Sequence, residues 1–170
     1  MFLTITTHSR ALLTGTALAL AGSAAWADTL TSDFTFRVVE TDGDGAETLA
    51  ERASVRPGEV IHYEIVHANG TPDAVAGLVV SAPVPEGVTF AEGTQTTSRS
   101  ADFQVQAELD PEVEGLEWSA LPATRVVIDE DGNRREEPLP AEEIAAVRWT
   151  LTEPLPAGDA ALNTYRVRVD

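Results

Sequence analysis

An all-β sandwich is the fold class this sequence predicts, and three observations predict it. Val60–His67 alternates, with Ile61, Tyr63 and Ile65 on one side and His62 and Glu64 on the other. That is the period-2 pattern of a sheet buried on one face only. Short runs of the same kind recur along the chain, separated by Gly, Pro and Asp clusters that act as turns. No stretch carries the 3.6-residue period of an amphipathic helix over a useful length.

The elements follow in order. Phe34, Phe36 and Val38 alternate with Thr35, Arg37 and Val39 and form the first strand. Thr41-Asp42-Gly43-Asp44-Gly45 turns the chain, and Glu47–Glu51 returns, which is a hairpin because Gly accepts the positive φ such turns need. Pro57-Gly58 fits the two central positions of a type II turn and leads into Val60–His67. A loop at Ala68–Asp73 precedes a strand at Leu78–Ser81. Pro83-Val84-Pro85-Glu86-Gly87 marks a corner, since proline donates no ladder hydrogen bond, and Val88-Thr89-Phe90 lies beyond it.

Ala91–Ser100 is small and polar and reads as a loop. Phe103, Val105 and Ala107 mark another half-buried strand, and Leu116 with Trp118 gives a weak strand or an extended loop. Arg125–Asp129, the turn Glu130–Asn133 and Arg134–Glu137 form a second hairpin, whose charged return strand belongs at an edge. Pro138–Glu143 is a connector with room for one helical turn. Ile144–Leu151 is apolar enough for a central strand, Pro154–Gly158 turns, and Ala161–Val169 closes the domain. Eight to ten short strands of this kind predict an immunoglobulin-like β-sandwich of two antiparallel sheets.

Residues 1–27 are set apart from that domain. Arg10, the apolar run Ala11–Ala21 and the small-x-small site Ala25-Trp26-Ala27 read as a secretory signal peptide cut after Ala27. The apolar run is shorter than the roughly 20 residues that span a bilayer, so a membrane anchor is the weaker reading. No cysteine follows it to carry a lipid. The mature chain is then residues 28–170, with no integral membrane segment and enough length for one core without a disulfide staple. The expected location is the periplasm or the cell exterior.

Composition excludes several chemistries. There is no cysteine, so thiol catalysis, thiolate metal sites and disulfides are absent. Lysine is also absent, which removes Schiff bases, Ser-Lys dyads and Lys–Asn isopeptide cross-links. Eleven basic residues, all arginine, face 28 acidic ones, for a formal net charge of −17. Such a field repels nucleic acid and anionic lipid, so neither is expected as a partner.

Candidate sites are few. Asp42 with Asp44, and Asp129 with Asp131, could offer carboxylates to calcium at alternating positions. Neither loop continues to a glutamate at its twelfth position, and Asp and Gly are also what hairpin turns require. His62 and His67 lie five apart on one strand, so a regular strand points them to opposite faces. His62 is expected at the surface beside Glu64, and His67 as a hydrogen-bonded residue at the mouth of the core. Trp149 belongs to the core, and Trp118 could offer a sugar platform if exposed. No Gly-x-Ser-x-Gly, HExxH or P-loop motif occurs, and no pair of carboxylates stands out. No catalytic residue is assigned, and no cofactor other than calcium is considered.

At Val55–Tyr63 the chain resembles the conserved-repeat domain of unknown function found in bacterial surface and envelope proteins. The likeness rests on Pro57-Gly58, Ile61/Tyr63/Ile65, Asn69-Gly70, Leu78–Val80, Pro85-Glu86-Gly87 and Phe90. It returns at Arg148-Trp149-Thr150-Leu151, Leu155–Gly158 and Tyr165–Val169. It spans roughly residues 33–90 and 144–170, and the middle, 91–143, is only loosely similar. Ala82 stands where the family has an Asp before the proline corner, which implies a looser turn. The resemblance implies an immunoglobulin-like sandwich and an exported location, and it brings no catalytic residues.

Together these readings predict an exported, non-enzymatic structural or protein-interaction module of the bacterial envelope or surface, with an envelope or surface protein as partner. A calcium-dependent adhesive or surface-layer component is the first alternative. A small carbohydrate-binding or carbohydrate-active protein built on Trp118 is the second.

Overall fold

The computed structural model describes residues 29–170. The expected leader at 1–27 lies outside the described residues. Among the described residues twelve strands form three antiparallel sheets. They are β1 (Leu30–Thr41), β2 (Glu47–Ala50), β3 (Val60–Asn69), β4 (Val79–Pro83), β5 (Val88–Phe90) and β6 (Thr96–Thr97). The second half contributes β7 (Ala101–Ala107), β8 (Glu117–Ser119), β9 (Thr124–Ile128), β10 (Arg134–Pro138), β11 (Ala146–Leu151) and β12 (Ala160–Val169). One 3₁₀ turn, Ala141–Glu143, precedes β11. Among the described residues no helix is long and apolar enough to cross a membrane.

The larger sheet runs β2-β1-β3-β12-β5, with β6 on the flank of β12, and the second runs β4-β11-β7-β8. Alternation dictates the faces. Ile61, Tyr63 and Ile65 of β3 are buried, as are Tyr165 and Val167 of β12. Opposite them lie Val80 and Ala82 of β4, Val147 and Trp149 of β11, and Val105 and Ala107 of β7. Rings meet across the interior. Trp149 lies 6.1 Å from Tyr165 and 5.2 Å from Phe103, and Phe103 stacks on Phe90 at 6.1 Å. Rings this large each take a large apolar area out of water.

These contacts fix which strand lies over which. β11 sits over β12 through Trp149 and Tyr165, and β7 sits over β5 through Phe103 and Phe90. Counting outward by the sheet orders puts β4 over β3 and leaves β1 and β2 with no strand opposite among the described residues. The larger sheet therefore overhangs the smaller one.

Three differences from the sequence reading have physical causes. The second hairpin, β9–β10, joins neither layer and pairs only with itself. Half of its ten residues are charged, all but one of them on β10, so it offers less apolar surface than the strands of the two layers. The loop Ala91–Ser100 holds the two-residue strand β6, because Thr96 pairs with Thr164 and their hydroxyls bond at 2.7 Å. The proline corner is braced from outside. The Tyr165 hydroxyl donates to the Pro83 carbonyl at 2.8 Å, and Asp170 N–H donates to the Gly87 carbonyl at 3.1 Å.

Candidate functional site

The overhang creates the most distinctive surface of the molecule. β1 has twelve residues and pairs with β3 from Leu30 to Val39. On its other side β2 pairs only with Val38–Thr41, because the chain leaves the sheet after Ala50. Beside Leu30–Arg37 that row is empty among the described residues. A strand edge of this kind turns alternate N–H and C=O groups outward with no partner.

The same segment carries uncovered apolar side chains. Phe34 and Phe36 lie on the face that holds Val38, which is 1% exposed, yet they are 50% and 51% exposed. Their rings lie 5.2 and 6.3 Å from that of Tyr63, which stacks on Tyr165 at 4.9 Å. An aromatic row thus runs from the buried core to the open edge. A groove of about 500 Å³ lies along Phe34–Arg37, with Glu51–Ala53 as its far wall. A second hollow of about 250 Å³, sharing Phe36, Arg52 and Ala53, has Ile61 and Tyr63 in its floor.

The charges around the groove are unequal in freedom. Arg37 pairs with Glu64 at 2.9 Å. Arg52 pairs with Glu59 at 2.6 Å and Glu40 at 3.2 Å. The Arg52 hydrogen bond, followed by the Arg56 N–H, holds the Glu59 carboxyl below its ordinary value. Asp33 and Glu51 are exposed and form no salt bridge among the described residues. The charge left over at this edge is negative.

The residues singled out in the sequence lie elsewhere and do not converge. Asp42 is a turn residue: its Oδ1 accepts the N–H groups of Asp44 and Ala46, each at 2.9 Å. Asp129 does the same for Asp131 at 3.0 Å and Asn133 at 2.8 Å, and the Asn133 contacts lower its carboxyl from the ordinary value. The two loops cap separate hairpins. Among the described residues no group of three or more His, Asp or Glu side chains is arranged to hold a metal ion.

The histidines differ from expectation. His62 is half-buried rather than fully at the surface, and across the sheet it stands between Arg37 and Arg166. Burial first, then the Arg166 charge, lowers its pKa. His67 is also half-buried, and burial lowers its pKa too. Its Nδ1, expected to be hydrogen-bonded, is buried without a partner, as is that of His62. Trp149 is core, at 1% exposure. Trp118 is half-buried, with the Arg148 guanidinium 4.2 Å from its ring centroid and held there by Gln104 at 2.9 and 2.6 Å. One face of that ring is therefore already occupied.

Alternation put Phe34 and Phe36 on one face of β1 together with Val38, as the structure has them. It could not show that the facing sheet ends before reaching them, and the exposed edge was missed for that reason. No protein-family model, curated protein or solved structure matches this chain.

Proposed function

We propose that this protein is an exported, non-enzymatic interaction module of the bacterial envelope or surface, built on an immunoglobulin-like sandwich. It engages a protein partner at the open edge of β1. The observation that carries this reading is the row beside Leu30–Arg37, vacant among the described residues and flanked by two half-exposed phenylalanines. Natural sheets usually blunt such edges with charge, proline or a covering loop, because a bare edge recruits strands. Here the edge is long and aromatic. The leader-like residues 1–27 and the likeness to envelope repeat domains supply the exported setting.

Site-specific photo-cross-linking tests the reading. A photoreactive residue in place of Thr35 should give one discrete cross-linked species in cells, and the same residue in place of Asp131, on the far hairpin, should not. Equal cross-linking from both positions, or none from Thr35, would defeat the proposal.

A further inference from the structure

The vacant row has enough specific chemistry to define its occupant. We propose that it takes an extended segment of a partner protein, added as a strand along Leu30–Arg37, with apolar residues at alternate positions and basic residues between them. This rests on the reading of the β1 edge as a docking site and names what docks there.

Backbone geometry comes first. The line of β2, continued past Ala50, runs directly beside Arg37 to Leu30, a length of eight residues. A strand in that line would meet the outward N–H and C=O groups of β1. Side chains come second. Successive residues of an added strand alternate between the two faces, so every second one would fall on the side of Phe34 and Phe36. Apolar residues at those positions would extend the aromatic row that begins at Tyr165 and reaches Phe34 through Tyr63.

Charge selects between occupants. A second copy of this chain would bring another net charge of −17 against the same edge. The arginines at the groove, Arg37 and Arg52, are already held by Glu64, Glu40 and Glu59. Among the described residues the unpaired groups there are Asp33, exposed on the face of β1 opposite Phe34, and Glu51, which lines the groove wall. Opposite charge across a contact favours encounter and fixes register, and like charge disfavours it. A basic strand satisfies both the edge and the molecule as a whole.

The probe is a nonapeptide of alternating valine with lysine and threonine, compared with a counterpart carrying glutamate for lysine. The lysine peptide should bind the purified protein at low ionic strength at least tenfold more tightly than the glutamate peptide. It should also slow amide hydrogen exchange selectively at Thr31–Arg37. Joint replacement Phe34→Ser and Phe36→Ser should weaken binding at least tenfold. If that variant does not fold, Glu51→Lys, at an exposed position, should weaken the lysine peptide at least threefold. Equal binding of the two peptides, protection away from β1, or unaltered affinity in a folded variant would overturn the proposal. So would a stable dimer of the protein that Phe36→Ser dissociates, since a second copy would then fill the row. If no peptide binds while the Thr35 cross-link persists, the basic-strand assignment falls and the docking edge stands. Loss of the cross-link as well removes both.

Discussion

Two buried asparagines behave oppositely. Asn69 is 1% exposed and fully engaged: its Nδ2 lies 2.9 Å from the carbonyls of Asp73 and Leu155, and its Oδ1 accepts from Thr71 N–H and hydroxyl. It ties the end of β3 to the loop before β12. Asn69→Ala should cost about 2–4 kcal/mol in urea denaturation, because several buried groups lose their partner together. Asn163 is 0% exposed, and neither of its side-chain polar atoms has a partner among the described residues. Asn163→Leu, similar in volume, should be neutral or stabilising by about 1 kcal/mol, since the desolvation cost of an unpaired amide disappears. A clear loss of stability would show that the amide is satisfied by buried water. The histidines give a pH signature. Burial keeps His62 and His67 neutral in the fold, so the unfolded chain takes up protons first as pH falls below about 6.5. Their contribution to stability therefore declines over the window that opens as pH falls below about 6.5. Relief of the net negative charge acts in the other direction, so the test is a difference. His62→Gln with His67→Gln should lose less stability over that window than the parent protein.

At the scale of elements, the first hairpin is held by its own turn. Asp42 accepts two backbone N–H groups, and Gly45 sits at φ +85°, where a side chain is strained. Asp42→Ala should lower stability by about 1 kcal/mol through the lost turn bonds. The decrement should be the same with and without millimolar calcium; a calcium-dependent decrement would restore the metal reading of Asp42 and Asp44. One of the braces at the corner between β4 and β5 is a side-chain hydroxyl. Tyr165→Phe removes its bond to Pro83 and should cost about 1 kcal/mol, leaving the ring stacked on Tyr63.

For the whole molecule, charge decides the response to salt. Among the described residues seven arginines form salt bridges: Arg37, Arg52, Arg99, Arg125, Arg134, Arg135 and Arg166. Such surface pairs are worth about 0–1 kcal/mol each, and salt weakens them. The 28 carboxylates greatly outnumber them, and their mutual repulsion is screened over about 10 Å at 0.1 M salt. Repulsion should win, and the melting temperature should rise from 10 to 500 mM sodium chloride. A fall would show that the ion pairs dominate.

The sequence by itself determined the strands that fill the interior, because a side chain's face follows from its parity along a strand. Ile61, Tyr63 and Val105 were legible in this way, and Trp149 from the apolar run that holds it. Asp-Gly and Pro-Gly pairs announced the turns, because few other residues accept those backbone angles. Only the tertiary structure decided that β4 is the last strand of its sheet, that the charged hairpin β9–β10 stands apart, and that Phe34 and Phe36 are left uncovered. Periodicity encodes which side of a strand is apolar. How far the opposing layer extends depends on strand order and on contacts between residues far apart in the chain, and no local pattern records it.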